Sequence, residues 1–476
     1  MTFALTIVAI CASGLAILHV LRLSTASRTV DMALAWFVGS GWFALGAMSL
    51  RFLAGVPFSW PAASAIVLAP FPAWAAMRAR SRQDAPVSGR RFPRPAWVFA
   101  PVGAYVFFIL LVVILHGANT PTHTDDGIRV RAFAPILAFD GAWGTEARGI
   151  LVTAGPVTTF VPAFAWMFTG TVDHFHANYF VLTSLIAIVL LAIGLGTSRG
   201  SPERGWASAF GLLSVPLFVY NCTSTYGDAV LAIFIGTAIL FSIEYGRTRD
   251  MGDAYRAIAL LAAAAMVKRE GEIVAISVAA VIISQLALEW RRGTRFPVLP
   301  IAIAALAVAA AGASKIAAVG LSEAFPLLKL IAGRAKNAGA VEAMGSTSIH
   351  SKALSVFWYA LFRSGNQGMV YWLLPAAIAV RFRAVLKPCF GWPLAAISLL
   401  LAETAVSSVW LVPEYTVNET TVHRALMVVS VPAALWIVAL LTDNAYSSES
   451  AVAADNTGSN PPGDAKQEKW RQFKWI

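Results

Sequence analysis

Charge is scarce in this sequence. Asp, Glu, Lys and Arg make up 13% of its 476 residues, about half the share of a soluble globular chain. Cysteine is scarcer still. Cys11, Cys222 and Cys389 lie far apart, in or beside apolar runs, which excludes a disulfide framework and a zinc-type spacing. No glycine-rich nucleotide loop and no Walker-type lysine occurs between the apolar runs, so the chain has no nucleotide-binding signature. No internal repeat is visible. What remains is hydrophobic residues at 58% of the chain and a mean hydropathy of +0.68, the composition of a polytopic membrane protein. The net charge of +11 then reads as topology and not as nucleic-acid binding, because basic residues mark inner loops.

A membrane helix needs about 20 apolar residues, and about thirteen candidate runs meet or approach that length. The expected fold is therefore all-α: an integral membrane protein with outer-face loops and interfacial helices. The strongest inner-loop signal is Arg78, Arg80, Arg82, Arg90, Arg91 and Arg94, opposed only by Asp84. It closes an N-terminal three-helix segment, 1–95. A membrane module follows over 96–441, and a Ser/Asn/Gly/Pro-rich tail, 442–476, is expected to be a disordered inner end. With that loop inside, the run near Ala96–His116 exits on the non-cytoplasmic face. The stretch Ile150–Thr169, interrupted by Gly155, Pro156 and Pro162, is expected to be interfacial or re-entrant instead of spanning. The run Ser355–Val380 is broken by Arg363-Ser364-Gly365-Asn366-Gln367, so its outer part is expected to be a separate surface helix.

Four polar clusters fall on the outer face of this map. The first is Asp125-Asp126 with Arg129 and Arg131, in the loop after the fourth run. Adjacent carboxylates in such a loop are either simply hydrated or chemically active, and their mutual repulsion makes one of them a better base. The second is Tyr226-Gly227-Asp228 at the start of a helix, where capping alone would also account for the Asp. The third is Lys268-Arg269-Glu270-Gly271-Glu272, at the end of a run too short to span. Charges there lie below headgroup level or pair with one another as a turn. The fourth is Arg424, opening the last helix, where a cation opposes the helix dipole and calls for an anionic partner. Asp173, His174 and His176 form a weak metal pattern and are taken as outer-loop polar residues.

Carboxylates and cations on one face beside a wide apolar field suit transfer of a sugar from a polyprenyl-phosphate donor. The acceptor hydroxyl needs a carboxylate base, and the departing lipid phosphate needs Arg or Lys. At this point the chain resembles the GT-C superfamily of membrane glycosyltransferases, the class of protein O-mannosyltransferases and aminoarabinose transferases, in its uncharacterised bacterial branch. Tyr226-Gly227-Asp228 stands where that branch has a Tyr-Ala-Asp segment, and Lys268-Arg269-Glu270-Gly271 where it has Lys-x-Glu-Gly. Arg424 fits the arginine near the start of its final helix, and Asp125 or Asp126 fits the catalytic acid of the first large outer loop. Three helices precede that loop here, where the family usually has one, and Arg129 and Arg131 stand where it has Trp or Lys.

The resemblance implies Asp125 and Asp126 as catalytic residues. It implies Arg129, Arg131, Tyr226, Asp228, Lys268, Arg269, Glu270 and Arg424 as substrate-binding residues. The implied partners are a polyprenyl-phosphate sugar donor, a glycan, lipid or protein acceptor, and the bilayer, with no nucleic acid. No cofactor is required, although Asp125 and Asp126 could hold Mg²⁺ or Mn²⁺. The location would be the inner cell membrane, with the active site facing the periplasm or exterior. The alternatives are a polysaccharide polymerase or ligase working on lipid-linked glycans, and a lipid-linked sugar flippase or transporter.

Overall fold

The computed structural model describes residues 2–80, 99–119, 138, 154–171, 175–223, 227–268, 270–291, 298–320, 346–411, 413–417 and 420–443. Among them every regular element is a helix. Ten helices are long and apolar enough to cross a bilayer, so the chain is an all-α, multi-pass membrane protein. In chain order the first six elements are α1 (Thr2–Val20), α2 (Arg28–Phe52), α3 (Trp60–Leu68), α4 (Phe71–Arg80), α5 (Ala100–Asn119) and α6 (Pro156–Thr169). Next come α7 (Phe175–Ser198), α8 (Pro202–Leu213), α9 (Pro216–Asn221), α10 (Gly227–Thr248), α11 (Met251–Ala264), α12 (Gly271–Trp290) and α13 (Val298–Val319). The last part holds α14 (Ser346–Phe362), α15 (Val370–Val380), α16 (Phe382–Val385), α17 (Pro388–Val406), α18 (Pro413–Val417) and α19 (Thr420–Leu441).

Several of the expected crossings are short or split, and those later in the chain have a local cause. α8 and α9 are separated at Ser214–Val215, where Pro216 opens the second piece and cannot donate a backbone hydrogen bond to the first. α11 has only 14 residues, as the length of its apolar run predicts. α14 and α15 are split at Arg363–Met369, as the polar insertion there predicts. The α8–α9 and α14–α15 breaks meet: Leu217 N donates to Asn366 O at 2.8 Å. Gly368, at φ +59, leaves room for the Ser214 carbonyl, which a Cβ would approach to 2.9 Å. Buried side chains close this wedge. Gln367 Nε2 donates to His423 O at 2.8 Å, and Ser430 Oγ donates to Gln367 Oε1 at 2.8 Å. Backbone breaks at membrane depth survive only where protein satisfies them in this way.

α6 does not span. Eleven of its residues are buried, and its aromatic face packs on the α2–α3 connection, through Phe160–Phe58 and Phe164–Trp60. It is the short element that its prolines and glycine predict, and it is buried inside the bundle instead of laid on its surface.

α10 is the central column. Its spanning window is 94% buried against 17% for α5 and 22% for the window in α13, so α5 and α13 face lipid while α10 is wrapped by protein. Its last turn enters a network of ion pairs that ties several helices together at one end of the bundle. Glu244 meets Arg204 at 3.0 Å and Arg247 at 2.9 Å. Asp253 meets Arg199 at 2.6 Å and is also paired with Arg256. Arg256 Nε donates to Leu23 O at 2.7 Å, fastening the α1–α2 turn. Arg247 donates to Ala439 O at 2.8 Å and Arg381 to Leu441 O at 3.2 Å, which adds the end of α19. This arginine-rich end matches the loops that the sequence assigns to the inside.

Candidate functional site

The opposite end of α10 carries the site. Asp228, in the first turn, is 4% exposed. Its Oδ1 accepts from Lys268 Nζ at 2.6 Å, so two residues forty positions apart form one ion pair. Lys268 belongs to the turn that follows α11, and it also lies 3.4 Å from Glu270 Oε2. The two carboxylates differ in environment. The Asp228 side chain is 5% exposed and that of Glu270 is 47% exposed. Asp228 thus meets the lysine from the buried side and Glu270 from the solvent-facing side.

A second pair lies beside the first. Lys315, near the end of α13, is bound to Glu272 in the first turn of α12, with side-chain exposures of 1% and 13%. A buried ammonium costs several kcal/mol of desolvation unless it is paired, so this contact fixes where α13 meets α12. The sequence shows Lys315 only as an isolated charge inside an apolar run, and its partner sits 43 residues away. An ionisable residue inside a membrane run was the available signal. Glu403 of α17 is a further such residue, half-buried within an apolar helix.

Helix packing brings Arg424 to the same height. Gly236 of α10 packs against Val431 and Leu435 of α19. Counting back the same eight residues along each of these parallel helices sets Asp228 level with His423–Met427. Asn221 agrees, because its side chain meets Met427 Sδ at 3.4 Å. Arg424 itself is half-buried.

The segment holding the expected catalytic loop re-enters the described structure at this corner. Val157 N donates to Met266 O at 3.0 Å. Gly155, at φ +85, lies so close to Val267 that a Cβ there would stand 2.2 Å from the Val267 carbonyl oxygen. Only glycine combines that backbone conformation with that approach. The start of α6 is thereby clamped one residue from Lys268. The other end of the segment leaves from α5, whose Gly117 O accepts from Asn178 at 3.2 Å.

Of the residues singled out from sequence, the structure brings Asp228, Lys268 and Glu270 together and sets Arg424 at their level. Asp125, Asp126, Arg129, Arg131, Tyr226 and Arg269 lie outside the described residues, as do Asp173 and His174. Lys315, Glu272 and Gly155 join the site from the structure. Among the described residues no group of three or more His, Cys, Asp or Glu gathers to hold a metal ion. Two of the carboxylates here, Asp228 and Glu270, share a lysine between them.

No family model matches this sequence, and no curated protein and no solved structure is significantly similar to it.

Proposed function

We propose that the protein is a membrane glycosyltransferase that moves a sugar from a polyprenyl-phosphate donor to an acceptor on the non-cytoplasmic face. The observation that carries this reading is the pair of lysine–carboxylate contacts, Lys268–Asp228 and Lys315–Glu272. They lie at the end of the bundle away from the arginine network, and the segment after Asp125 and Asp126 ends against Lys268. With the arginine-rich end inside, this charged corner faces outward beside lipid-facing helices. A lipid phosphate could meet it there without leaving the membrane.

The chemistry follows from the difference between the carboxylates. Asp228 holds Lys268 in place, and a phosphate oxygen displaces the exposed Glu270 from the same ammonium. Lys268 and Arg424 then offset the charge that grows on the phosphate as the bond from sugar carbon to phosphate oxygen breaks. The acceptor oxygen forms its bond to that carbon and passes its proton to a carboxylate, assigned to Asp125 or Asp126. The lipid phosphate leaves with the bonding electron pair. No nucleotide takes part.

The test is donor binding in two variants. Lys268→Gln should weaken polyprenyl-phosphate binding roughly ten- to a hundredfold, the worth of about 1.5–3 kcal/mol for a hydrogen bond to a charged group. Glu270→Gln should leave binding unchanged or tighter, because it removes the competing carboxylate. Equal affinity in the Lys268 variant and the parent would sink this assignment.

A transporter reading is favoured by one observation, the meeting of two interrupted helices at Ser214–Val215 and Arg363–Met369. Substrate sites in transporters form at such breaks near the midplane. Here the break stands about 18 Å from the start of α8, at about 1.5 Å per residue, beyond the middle of a hydrocarbon core about 30 Å thick. Its polar groups bond to one another, so we rank this second.

A further inference from the structure

A groove of about 350 Å³ runs between α1, α2, α11 and α13, from Arg22 at the arginine-rich end to Met266, two residues before Lys268. Arg22 and Tyr255 line it at the arginine-rich end, and Met266 lines it toward the bundle interior. Tyr255 and Met266 are eleven residues apart, so the groove is about 16 Å long at about 1.5 Å per residue. That is roughly half of a hydrocarbon core about 30 Å thick, the depth of one leaflet. The wall is apolar between these ends, with Ala259 and Ala263 on one side. Trp42 and Ile303, which are 37% and 38% exposed, open it toward lipid.

The polar end is built with a cation in an unusual place. α1 closes with Leu23 N donating to Leu18 O at 2.7 Å and Arg22 N to His19 O at 3.1 Å. This is the Schellman pattern, whose left-handed position is normally glycine. Arg22 occupies it at φ +55, a conformation that residues with a side chain rarely adopt. Nothing in the turn needs the arginine. Its neighbours are engaged elsewhere: Asp31 accepts from Thr25 N at 2.6 Å, and Arg256 is held by Asp253 and the Leu23 and Ser24 carbonyls. Among the described residues no carboxylate pairs with Arg22.

We infer that this groove is a binding site for one acyl chain of an anionic phospholipid from the inner leaflet, with the headgroup phosphate on Arg22. The groove supplies one leaflet's depth of apolar wall, and the exposed guanidinium supplies a bidentate partner for phosphate.

The experiment uses the full-length protein in nanodiscs of equal parts phosphatidylglycerol and phosphatidylcholine. In parallel samples one or the other lipid carries a photoactivatable acyl chain. After irradiation, labelling is read by mass spectrometry on the peptides containing Ala259 and Ile303. Phosphatidylglycerol should label them at least severalfold more than phosphatidylcholine. The Arg22→Gly variant should abolish that preference while folding at least as well as the parent, because glycine suits the left-handed position. Equal labelling by both lipids, or a preference unchanged in Arg22→Gly, would overturn the inference. So would displacement of the label by added polyprenyl phosphate, which would make the groove a donor channel.

Discussion

Replacing Glu272 by leucine tests whether Lys315 is as deeply held as its 1% side-chain exposure indicates. The two members of the pair are not equivalent. Glu272 keeps 13% of its side chain exposed, so in Lys315→Met the carboxylate can turn toward water. The loss then approaches that of a hydrogen bond to a charged group, about 1.5–3 kcal/mol. In Glu272→Leu the ammonium is left without its partner at a site that water scarcely reaches, and breaking a buried pair in this way costs about 3–5 kcal/mol. Replacing both by apolar residues of similar volume should recover most of that, since such exchanges are often neutral or stabilising by about 1–4 kcal/mol. The assay is thermal unfolding of each variant in one detergent at one scan rate, the rate being fixed because unfolding of such proteins is commonly irreversible. The order expected is parent close to the double variant, Lys315→Met lower, and Glu272→Leu lowest. A Glu272→Leu variant as stable as the parent would show that Lys315 reaches solvent or another anion, and the description of the α12–α13 contact would fail.

Two further outcomes follow from the site. Gly155→Ala must either move the chain away from Val267 or hold alanine in an extended, positive-φ conformation that is essentially glycine's alone, worth roughly 1–3 kcal/mol by itself. It should therefore lower both the thermal midpoint and donor affinity, and parent-like values in both would remove Gly155 from the site. Asp125→Asn and Asp126→Asn, made separately, should show one variant about a hundredfold or more slower in turnover with donor binding retained. Normal turnover in both would move the base to Asp228 or Glu270.

Much of this architecture is legible in the residue order because the bilayer imposes it. Apolar runs of spanning length give the long helices, and basic blocks give the end where Arg199, Arg204, Arg247 and Arg256 gather. Prolines and glycine in Ile150–Thr169 announce that α6 does not cross, and Arg363–Gln367 announces the split between α14 and α15. The Asp228–Lys268 pair is legible only as two polar interruptions, since which helices adjoin is decided by packing between distant segments. Lys315 was missed for that reason. Along the chain it is one lysine in an apolar run, and its partner is on another helix. Gly155 carries a visible helix-breaking signal, but its approach to the Val267 carbonyl depends on how α6 folds back. The α8–α9 break at Ser214–Val215 is less legible, because 206–222 carries no charge and proline is frequent in membrane helices.

The central claim is that the charged corner at Lys268 serves sugar transfer from a lipid phosphate. Its most direct test is to incubate the purified protein in detergent with a mixture of polyprenyl-phosphate-linked sugars and follow free polyprenyl phosphate by mass spectrometry. The account predicts release that depends on the protein and collapses in Lys268→Gln. Release absent with every donor in the mixture, or undiminished in that variant, would contradict it.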